Sequence, residues 1–190
     1  MIHIKDNFLS DAFYQFINSN LELDRFSKTD VGDTDFYTKE SSIYFDQYVL
    51  FRLQELEKRK LENILSFFRV ATDELDTTWR IHSDLNVNGV RPDRALVLYL
   101  SDSKLSDLNG TAFWEHSAYG KQLPASMSDE DYNKTISLDA NDLEKWTLKS
   151  VVGHEPNRLV SYPANYFHSK YPNKAWPSGR KVFVMFYKFA

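Results

Sequence analysis

The sequence predicts an α+β domain, in which a sandwich or barrel of short strands is supported by N-terminal helices. Apolar residues recur at helical spacing in the first part of the chain, and short β-branched and aromatic runs follow in the second. Asn, Asp, Gly and Pro residues separate those runs and supply turns. The 190 residues contain neither an internal repeat nor a linker, so we expect one domain over residues 1–190.

Residues 1–77 are expected to be mainly helical. Asn7 or Ser10 can cap a first helix, whose apolar residues lie close to 3.6 positions apart. A polar connection over 24–38 would lead to a second, long amphipathic helix from Gln47 to Val70. In that helix apolar residues recur at intervals of three and four, with charged residues between them, so its stripe is expected to face the core.

Five short runs after Thr77 are predicted to be strands, and turn-forming residues bound each of them. These runs are Thr78–Ile81, Ala95–Leu100, Ala112–Trp114, Arg158–Tyr162 and Lys181–Phe189. Residues 117–150 lie between them, and this segment is polar and acidic. We interpret it as an inserted loop, either a lid over a site or a solvated surface excursion.

Composition narrows the function classes. The formal net charge is -4 and the isoelectric point is about 5.7, which argues against a general nucleic-acid binder. The absence of cysteine excludes disulfide frameworks, thiolate nucleophiles and iron–sulfur clusters. Any bound metal must therefore be held by histidine and carboxylate side chains.

The N-terminal sequence MIHIKDNFLSDAFYQF has no long apolar segment and no small-residue cleavage site. No apolar run approaches the roughly 20 residues that a membrane span needs. We therefore expect a mature cytoplasmic protein that does not enter a membrane.

Two residues at the end of the first predicted strand form a candidate metal-binding pair. On an extended chain residues two positions apart point to the same side, so His82 and Asp84 can reach one ion. One imidazole and one carboxylate are two members of the facial triad of two histidines and one carboxylate that holds non-haem Fe(II). A His-x-Asp pair by itself is often only surface polarity.

His168 is the best candidate for the third ligand, because it follows a predicted strand and a turn. His3 lies at the start of the chain, His116 follows an aromatic strand, and His154 lies in a turn, so these compete less well. Considered alone, His168 would equally well be a structural histidine.

Arg180 opens the last predicted strand, 12 residues after His168. A buried guanidinium needs an anion, and its planar shape matches a carboxylate. Lys181 is adjacent and points to the opposite face of the strand, so only one of the two can enter a cavity. A surface position at the strand end is the alternative for Arg180.

These motifs occur in the order HSD (82–84), YPANYFHSKYP (162–172) and GRKVFVMFY (179–187). This pattern resembles the 2-oxoglutarate/Fe(II)-dependent oxygenases, most closely their prolyl-4-hydroxylase-like branch. That family has His-x-Asp, a distant His, and an Arg or Lys about ten to a dozen residues later. The strand RALVLYLSD (94–102) and the stretch NGTAFW (109–114) are also similar, although Asn109 stands where the family often has a second glycine. The resemblance covers about residues 78 to 190.

The resemblance implies a double-stranded β-helix, or jelly roll, with N-terminal flanking helices. His82, Asp84 and His168 would be the iron ligands and the catalytic residues. Arg180, with Lys181 as the alternative, would bind the C5 carboxylate of 2-oxoglutarate, and Tyr99 would support the same carboxylate. The implied cofactor is Fe(II), with 2-oxoglutarate and O2 as cosubstrates.

The implied activity is that of a dioxygenase that hydroxylates a C–H bond of a peptide, protein or small molecule. The acidic composition favours a neutral or basic peptide, as in a prolyl-type peptidyl hydroxylase, over a nucleic acid. Two alternatives remain. A non-catalytic jelly-roll binding module would carry no iron, and a cupin-like metalloenzyme that does not use 2-oxoglutarate would be indifferent to the loss of Arg180.

Overall fold

The computed structural model describes residues 1–22, 25–31, 34–101 and 105–190. Within these ranges the helices are α1 (Asp11–Asn18), α2 (Ile43–Glu57), α3 (Asp129–Lys134) and α4 (Ile136–Asp139), with a short 3-10 helix at Leu143–Lys145. The strands there are β1 (His3–Lys5), β2 (Ser27–Val31), β3 (Thr34–Glu40), β4 (Leu61–Ala71), β5 (Arg94–Tyr99), β6 (Gly110–His116), β7 (Trp146–Gly153), β8 (Leu159–Pro163), β9 (His168–Tyr171) and β10 (Arg180–Phe189).

The strands form two antiparallel sheets that face each other. The larger sheet has the order β1-β8-β5-β10-β4-β3-β2, and the smaller one has the order β7-β6-β9. Tyr99, Tyr162 and Val182 of the larger sheet pack against Phe113 and Val152 of the smaller one. The predicted sandwich with flanking helices is confirmed.

The outer face of the larger sheet is covered by the two N-terminal helices. Phe45, Val49 and Leu53 lie at every fourth position of α2, and they pack on Phe183 and Met185 of β10. Because strand residues alternate between faces, Arg180 and Val182 point to the opposite, inner face. Strand β10 therefore contributes to the helix-covered core and to the interior between the sheets.

Helix α2 is shorter than predicted. Lys58 adopts a left-handed conformation with φ 57° and ends the helix after Glu57. Residues 61–71 form β4, which pairs along its whole length with β10 and in part with β3. The predicted helix from Gln47 to Val70 is wrong beyond Glu57, because long-range pairing overrides an apolar spacing that suits a helix.

The expectation that residues 1–77 are mainly helical is also wrong. Ser10 caps α1 as predicted, accepting a hydrogen bond from the Phe13 amide (3.4 Å). However, the stretch interpreted as a polar connection contains strands β2 and β3, which pair as an antiparallel hairpin that joins the larger sheet through β4. Asp24, at the start of that stretch, lies outside the described residues.

Four of the five strands predicted after Thr77 are confirmed, within a few residues, as β5, β6, β8 and β10. Thr78–Ile81 is not a strand, so that prediction is wrong. Arg80 has a positive φ of 43°, which interrupts an extended chain, and β-type pairing begins beyond it, with the isolated bridge between His82 and His168.

The predicted inserted loop at 117–150 needs two corrections. Residues 146–150 belong to β7, and the remainder contains α3, α4 and the 3-10 helix. We call residues 117–145 the insertion. Most of its residues are exposed, but Leu123, Met127 and Ile136 are buried in one cluster with Ile81 and Phe167, so it packs against the rest of the domain. Within the part of the chain that the structure describes, no helix is long and apolar enough to cross a membrane.

A buried ion pair fastens α2 to the larger sheet. Arg94 Nε lies 3.0 Å from Glu57 Oε1, and both side chains are almost completely buried. Arg94 Nε also donates to Ser161 Oγ (3.0 Å), and the hydroxyl of Tyr187 donates to Glu57 (3.0 Å). These bonds join the end of α2 to β5, β8 and β10.

We predict that Glu57→Ala lowers the free energy of unfolding by about 3–5 kcal/mol, because it leaves the Arg94 guanidinium buried without its carboxylate. Glu55→Ala is the matched control, since Glu55 pairs with Arg52 at the surface (3.4 Å) and should cost less than about 1 kcal/mol. Urea unfolding followed by circular dichroism measures both values. Equal losses in the two variants would contradict the role given to the buried pair.

Candidate metal centre

The segments that carry the two predicted histidine ligands are joined through their backbones. The amide of His82 donates to the carbonyl of His168 (3.1 Å), and the amide of His168 donates to the carbonyl of His82 (2.8 Å). This reciprocal pair adds residue 82 to the edge of the smaller sheet beside β9. The imidazole centroids lie 4.4 Å apart as a result.

Asp84 completes the group. Its amide donates to the carbonyl of Ala164 (2.8 Å), which holds it against the turn before β9. Its carboxylate oxygens lie 3.7 Å from His82 Nε2 and 3.7 Å from His168 Nε2. One ligand atom from each of the three residues lies within 4.8 Å of the others. The structure therefore brings together the three residues that the sequence predicted as metal ligands.

Hydrogen bonds orient both imidazoles toward the carboxylate. His82 Nδ1 donates to the carbonyl of Arg80 (2.7 Å), and His168 Nδ1 donates to the carbonyl of Tyr166 (2.9 Å). Because a carbonyl can only accept, each Nδ1 carries the proton and each Nε2 keeps its lone pair. Backbone carbonyls commonly fix metal-binding histidines in this tautomer.

Burial sets the protonation states in the metal-free chain. Burial lowers the pKa of His168 to about 4 and the pKa of His82 well below its usual value, so both rings are neutral at pH 7. Burial raises the pKa of Asp84 to about 7, against the opposing charges of Arg80 and Arg69. Asp84 Oδ2 is buried and has no hydrogen-bond partner. Two neutral imidazoles and an unsatisfied carboxylate form a donor set that suits a divalent cation.

Arg180 points into the interior between the sheets, and it is only 5% exposed. The guanidinium donates to Thr111 Oγ1 (3.2 Å) and contacts the rings of Tyr99 and Trp176. Its Nε is buried without a partner, and no carboxylate of the described residues forms an ion pair with it. Lys181 is less buried and lies on the other face, so Arg180 is the one of the two that points into the interior between the sheets.

Tyr99 lies beside Arg180, and the two are connected through Thr111. Arg180 donates to Thr111 Oγ1, the Thr111 hydroxyl bonds to the Tyr99 hydroxyl (2.7 Å), and the Tyr99 hydroxyl donates to the carbonyl of Val152 (3.2 Å). Sequence reasoning missed Thr111. The neighbouring Gly110 explains its position, because a Cβ at residue 110 would lie 2.0 Å from the carbonyl oxygen of Val152.

The insertion holds the His-x-Asp segment, which sequence reasoning also missed. The Tyr132 hydroxyl donates to the carbonyl of Ser83 (3.0 Å) and accepts from its amide (3.2 Å), between the two candidate ligands. The amide of Ile81 donates to the carbonyl of Ala140 (2.8 Å). No local sequence signal marks Tyr132, because its partner lies 49 positions away.

Two further charged residues in the interior between the sheets were not predicted. Arg69 of β4 forms an ion pair with Asp76, and Lys170 of β9 lies 3.7 Å from the same carboxylate. The alternation of side chains between the two faces of β4 could have indicated that Arg69 points inward, but only if residues 61–71 had been recognised as a strand.

A cavity of about 230 Å³ opens beside Asp84, and residues 91–93 and 123–125 line it.

The fold is that of several oxygenases of known structure. HygX from Streptomyces hygroscopicus, solved with nickel, 2-oxoglutarate and hygromycin B bound, is 14% identical with a TM-score of 0.63, over 100% of this chain and 83% of HygX. The non-heme alpha-ketoglutarate-dependent carbocyclase SnoK from nogalamycin biosynthesis is 14% identical with a TM-score of 0.71, over 100% of this chain and 79% of SnoK. A Pseudomonas putida prolyl-4-hydroxylase is 10% identical with a TM-score of 0.56, over 100% of this chain and 92% of that protein.

These similarities confirm the predicted jelly roll and the resemblance to the 2-oxoglutarate/Fe(II)-dependent oxygenases at the level of the fold. No curated protein matches the sequence. The family match covers most of the chain, from residue 34 to residue 175. The chain belongs to the Family of unknown function (DUF6445).

Proposed function

We propose that the protein is an Fe(II)- and 2-oxoglutarate-dependent oxygenase that hydroxylates a C–H bond of its substrate. The observation that carries this proposal is the convergence of His82 Nε2, His168 Nε2 and the Asp84 carboxylate inside the fold that HygX and SnoK share. Three ligands on one side of an octahedral ion leave three positions open for a chelating cosubstrate and O2.

The proposed reaction converts the substrate R–H, O2 and 2-oxoglutarate into R–OH, succinate and CO2. Bound iron and 2-oxoglutarate would supply the oxidising chemistry: the reduction of O2 takes four electrons, of which the C–H bond provides two and the decarboxylation of the 2-oxo acid provides the other two. The protein supplies the geometry. His82, Asp84 and His168 would hold the metal, and burial would keep bulk water away from it.

Arg180 would bind the distal carboxylate of 2-oxoglutarate. The buried, unpartnered Nε supports this role, because a buried cation without an anion is costly. Thr111 and Tyr99 would fix the orientation of the guanidinium, and the Tyr99 hydroxyl is close enough to Arg180 to share the same ligand. A carboxylate gripped at one end orients the 2-oxo acid for chelation at the other.

The shared fold does not specify the reaction or the substrate, and we propose hydroxylation of a peptide. The similar structures include a carbocyclase and a prolyl-4-hydroxylase, and HygX was solved with hygromycin B, so one fold serves several reactions and substrates. Peptidyl hydroxylation is favoured by the acidic composition and by the resemblance of the motifs to the prolyl-4-hydroxylase-like branch, and a Pseudomonas putida prolyl-4-hydroxylase has a similar fold. A small-molecule substrate remains the alternative.

The two other classes raised by the sequence are less well supported. A non-catalytic binding module gives no reason for an unsatisfied carboxylate between two imidazoles whose Nε2 atoms face it. A cupin-like enzyme without 2-oxoglutarate gives no reason for Arg180, which is buried beside the site without a carboxylate partner among the described residues.

We predict that His168→Ala lowers Fe(II) affinity by at least about tenfold and abolishes succinate formation, because the loss of one ligand leaves two. Calorimetric titration with Fe(II) under anaerobic conditions and succinate detection with O2 measure the two effects. His3→Ala is the control, because it also removes a histidine. His3 contacts Glu57 on the far side of the larger sheet. Equal iron binding in wild type and His168→Ala would refute the proposed metal centre.

We predict that Arg180→Ala raises the KM for 2-oxoglutarate by about 10- to 10²-fold, because a charge-assisted carboxylate contact contributes about 1.5–3 kcal/mol. Lys181→Ala should leave that KM within about twofold, since Lys181 lies on the outer face. Succinate release at varied 2-oxoglutarate concentrations measures both. Indifference of the activity to Arg180→Ala would instead favour a cupin-like enzyme.

A further inference from the structure

A second cationic site lies beside the metal centre, on the side of strands β3 and β4. The guanidinium of Arg80 lies over the ring of Phe36, 4.4 Å from its centroid, and the guanidinium of Arg69 lies over the same ring at 4.2 Å. Phe36 is buried, so both positive charges lie against one aromatic ring in a partly desolvated position.

The two guanidinium groups differ in their partners. Arg69 forms an ion pair with Asp76. Arg80 has the Phe36 ring, and among the described residues no side chain accepts a hydrogen bond from its guanidinium or forms an ion pair with it. A partly buried cation without an anion is unfavourable, and this one is therefore available to a ligand.

The backbone holds Arg80 in a fixed relation to the candidate metal ligand His82. The amide of Arg80 donates to Asn141 Oδ1 (3.0 Å), and its carbonyl accepts from His82 Nδ1 (2.7 Å). The φ of 43° is one that residues with a Cβ rarely adopt, and such positions cluster at functional sites. The hydrogen bond that fixes the His82 tautomer therefore also fixes the backbone from which the Arg80 side chain extends.

The charge balance points to an anion in addition to 2-oxoglutarate. Electrostatic interactions link four cations to two carboxylates within the described part of the site, namely Arg69, Arg80, Lys170 and Arg180 with Asp76 and Asp84. Two positive charges are left over. A ferrous ion and the dianion of 2-oxoglutarate cancel each other, so the surplus remains when both are bound.

We infer that Arg80, supported by Arg69 across the Phe36 ring, binds an anionic group of the substrate, a carboxylate or a phosphate, and so positions the neighbouring C–H bond at the metal. This inference rests on the proposed function and deepens it by giving the chemical class of the substrate. Arg180 serves the cosubstrate from β10, and Arg80 serves the substrate from the segment before His82.

Binding of simple anions tests the inference without knowledge of the substrate. Protein loaded with Ni(II) and saturated with 2-oxoglutarate is titrated calorimetrically with benzoate, with its neutral analogue benzamide, and with inorganic phosphate. We expect benzoate or phosphate to bind at least about tenfold more tightly than benzamide. Arg80→Gln should remove that preference, and Arg80→Lys should restore part of it.

Arg59→Gln is the matched control, because Arg59 also lies over an aromatic ring, that of Phe189 (4.2 Å), but at the exposed surface. It should keep the preference for anions. The inference is overturned if neither anion binds the wild type, or if Arg80→Gln binds them equally well. It is also overturned if Arg80→Gln weakens 2-oxoglutarate binding and leaves anion binding unchanged, since Arg80 would then serve the cosubstrate.

The proposed function can fail separately. If Ni(II) and 2-oxoglutarate do not bind the wild type, the oxygenase proposal is refuted on its own. The same three titrations on the metal-free chain and on Arg80→Gln then decide whether Arg80 forms an anion site.

Discussion

The reciprocal backbone hydrogen bonds between His82 and His168 are the constraint on which the candidate site depends. They join two segments that are 86 positions apart in the chain, and they fix the separation of the imidazoles without help from side-chain contacts. Asp84 follows two residues later and is held by its own backbone bond to Ala164. The donor atoms are thus positioned by sheet-like pairing, which is stiffer than a loop.

Charge is distributed very unevenly between the outside and the inside of this protein. The chain as a whole is acidic, with a formal net charge of -4, whereas cationic side chains outnumber carboxylates among the described residues around the candidate metal centre. Burial strengthens the electrostatic interactions of these interior charges, because little water screens them. The whole-chain charge favoured a neutral or basic peptide as the partner, but the interior that would meet the substrate favours an acidic group.

The insertion connects the segment that carries His82 and Asp84 to the rest of the fold. Tyr132 bonds to both backbone groups of Ser83, and Ala140 and Asn141 bond to the two residues before His82. Leu123, Met127 and Ile136 of the insertion are buried in one cluster with Ile81 and Phe167, so it packs as part of the domain. The similar solved proteins differ in their reactions, and local elements of this kind, rather than the shared sheets, are where such differences arise.

Much of the second half of the fold could be predicted from the sequence. Strands β5, β6, β8 and β10 are short apolar runs bounded by turn residues, and this local signal suffices to place them. The motif order also identified His82, Asp84, His168 and Arg180, which the structure brings into one interior. Strand β4 was mistaken for helix, because apolar residues at intervals of three and four suit a helix until pairing with β10 and β3 is known.

The types of candidate ligand and their order along the chain could be predicted from local sequence, because the chemistry of imidazole, carboxylate and guanidinium groups does not depend on the fold. Long-range contacts had to be known to tell which face of β10 is internal and that Tyr132 and Thr111 belong to the candidate site. They were also needed to show that Arg80 and Arg69 share the Phe36 ring, and that Arg80 has no ion pair with a carboxylate of the described residues. Each of these depends on contacts between residues far apart in the chain, and the free energy of such contacts leaves no local pattern to recognise.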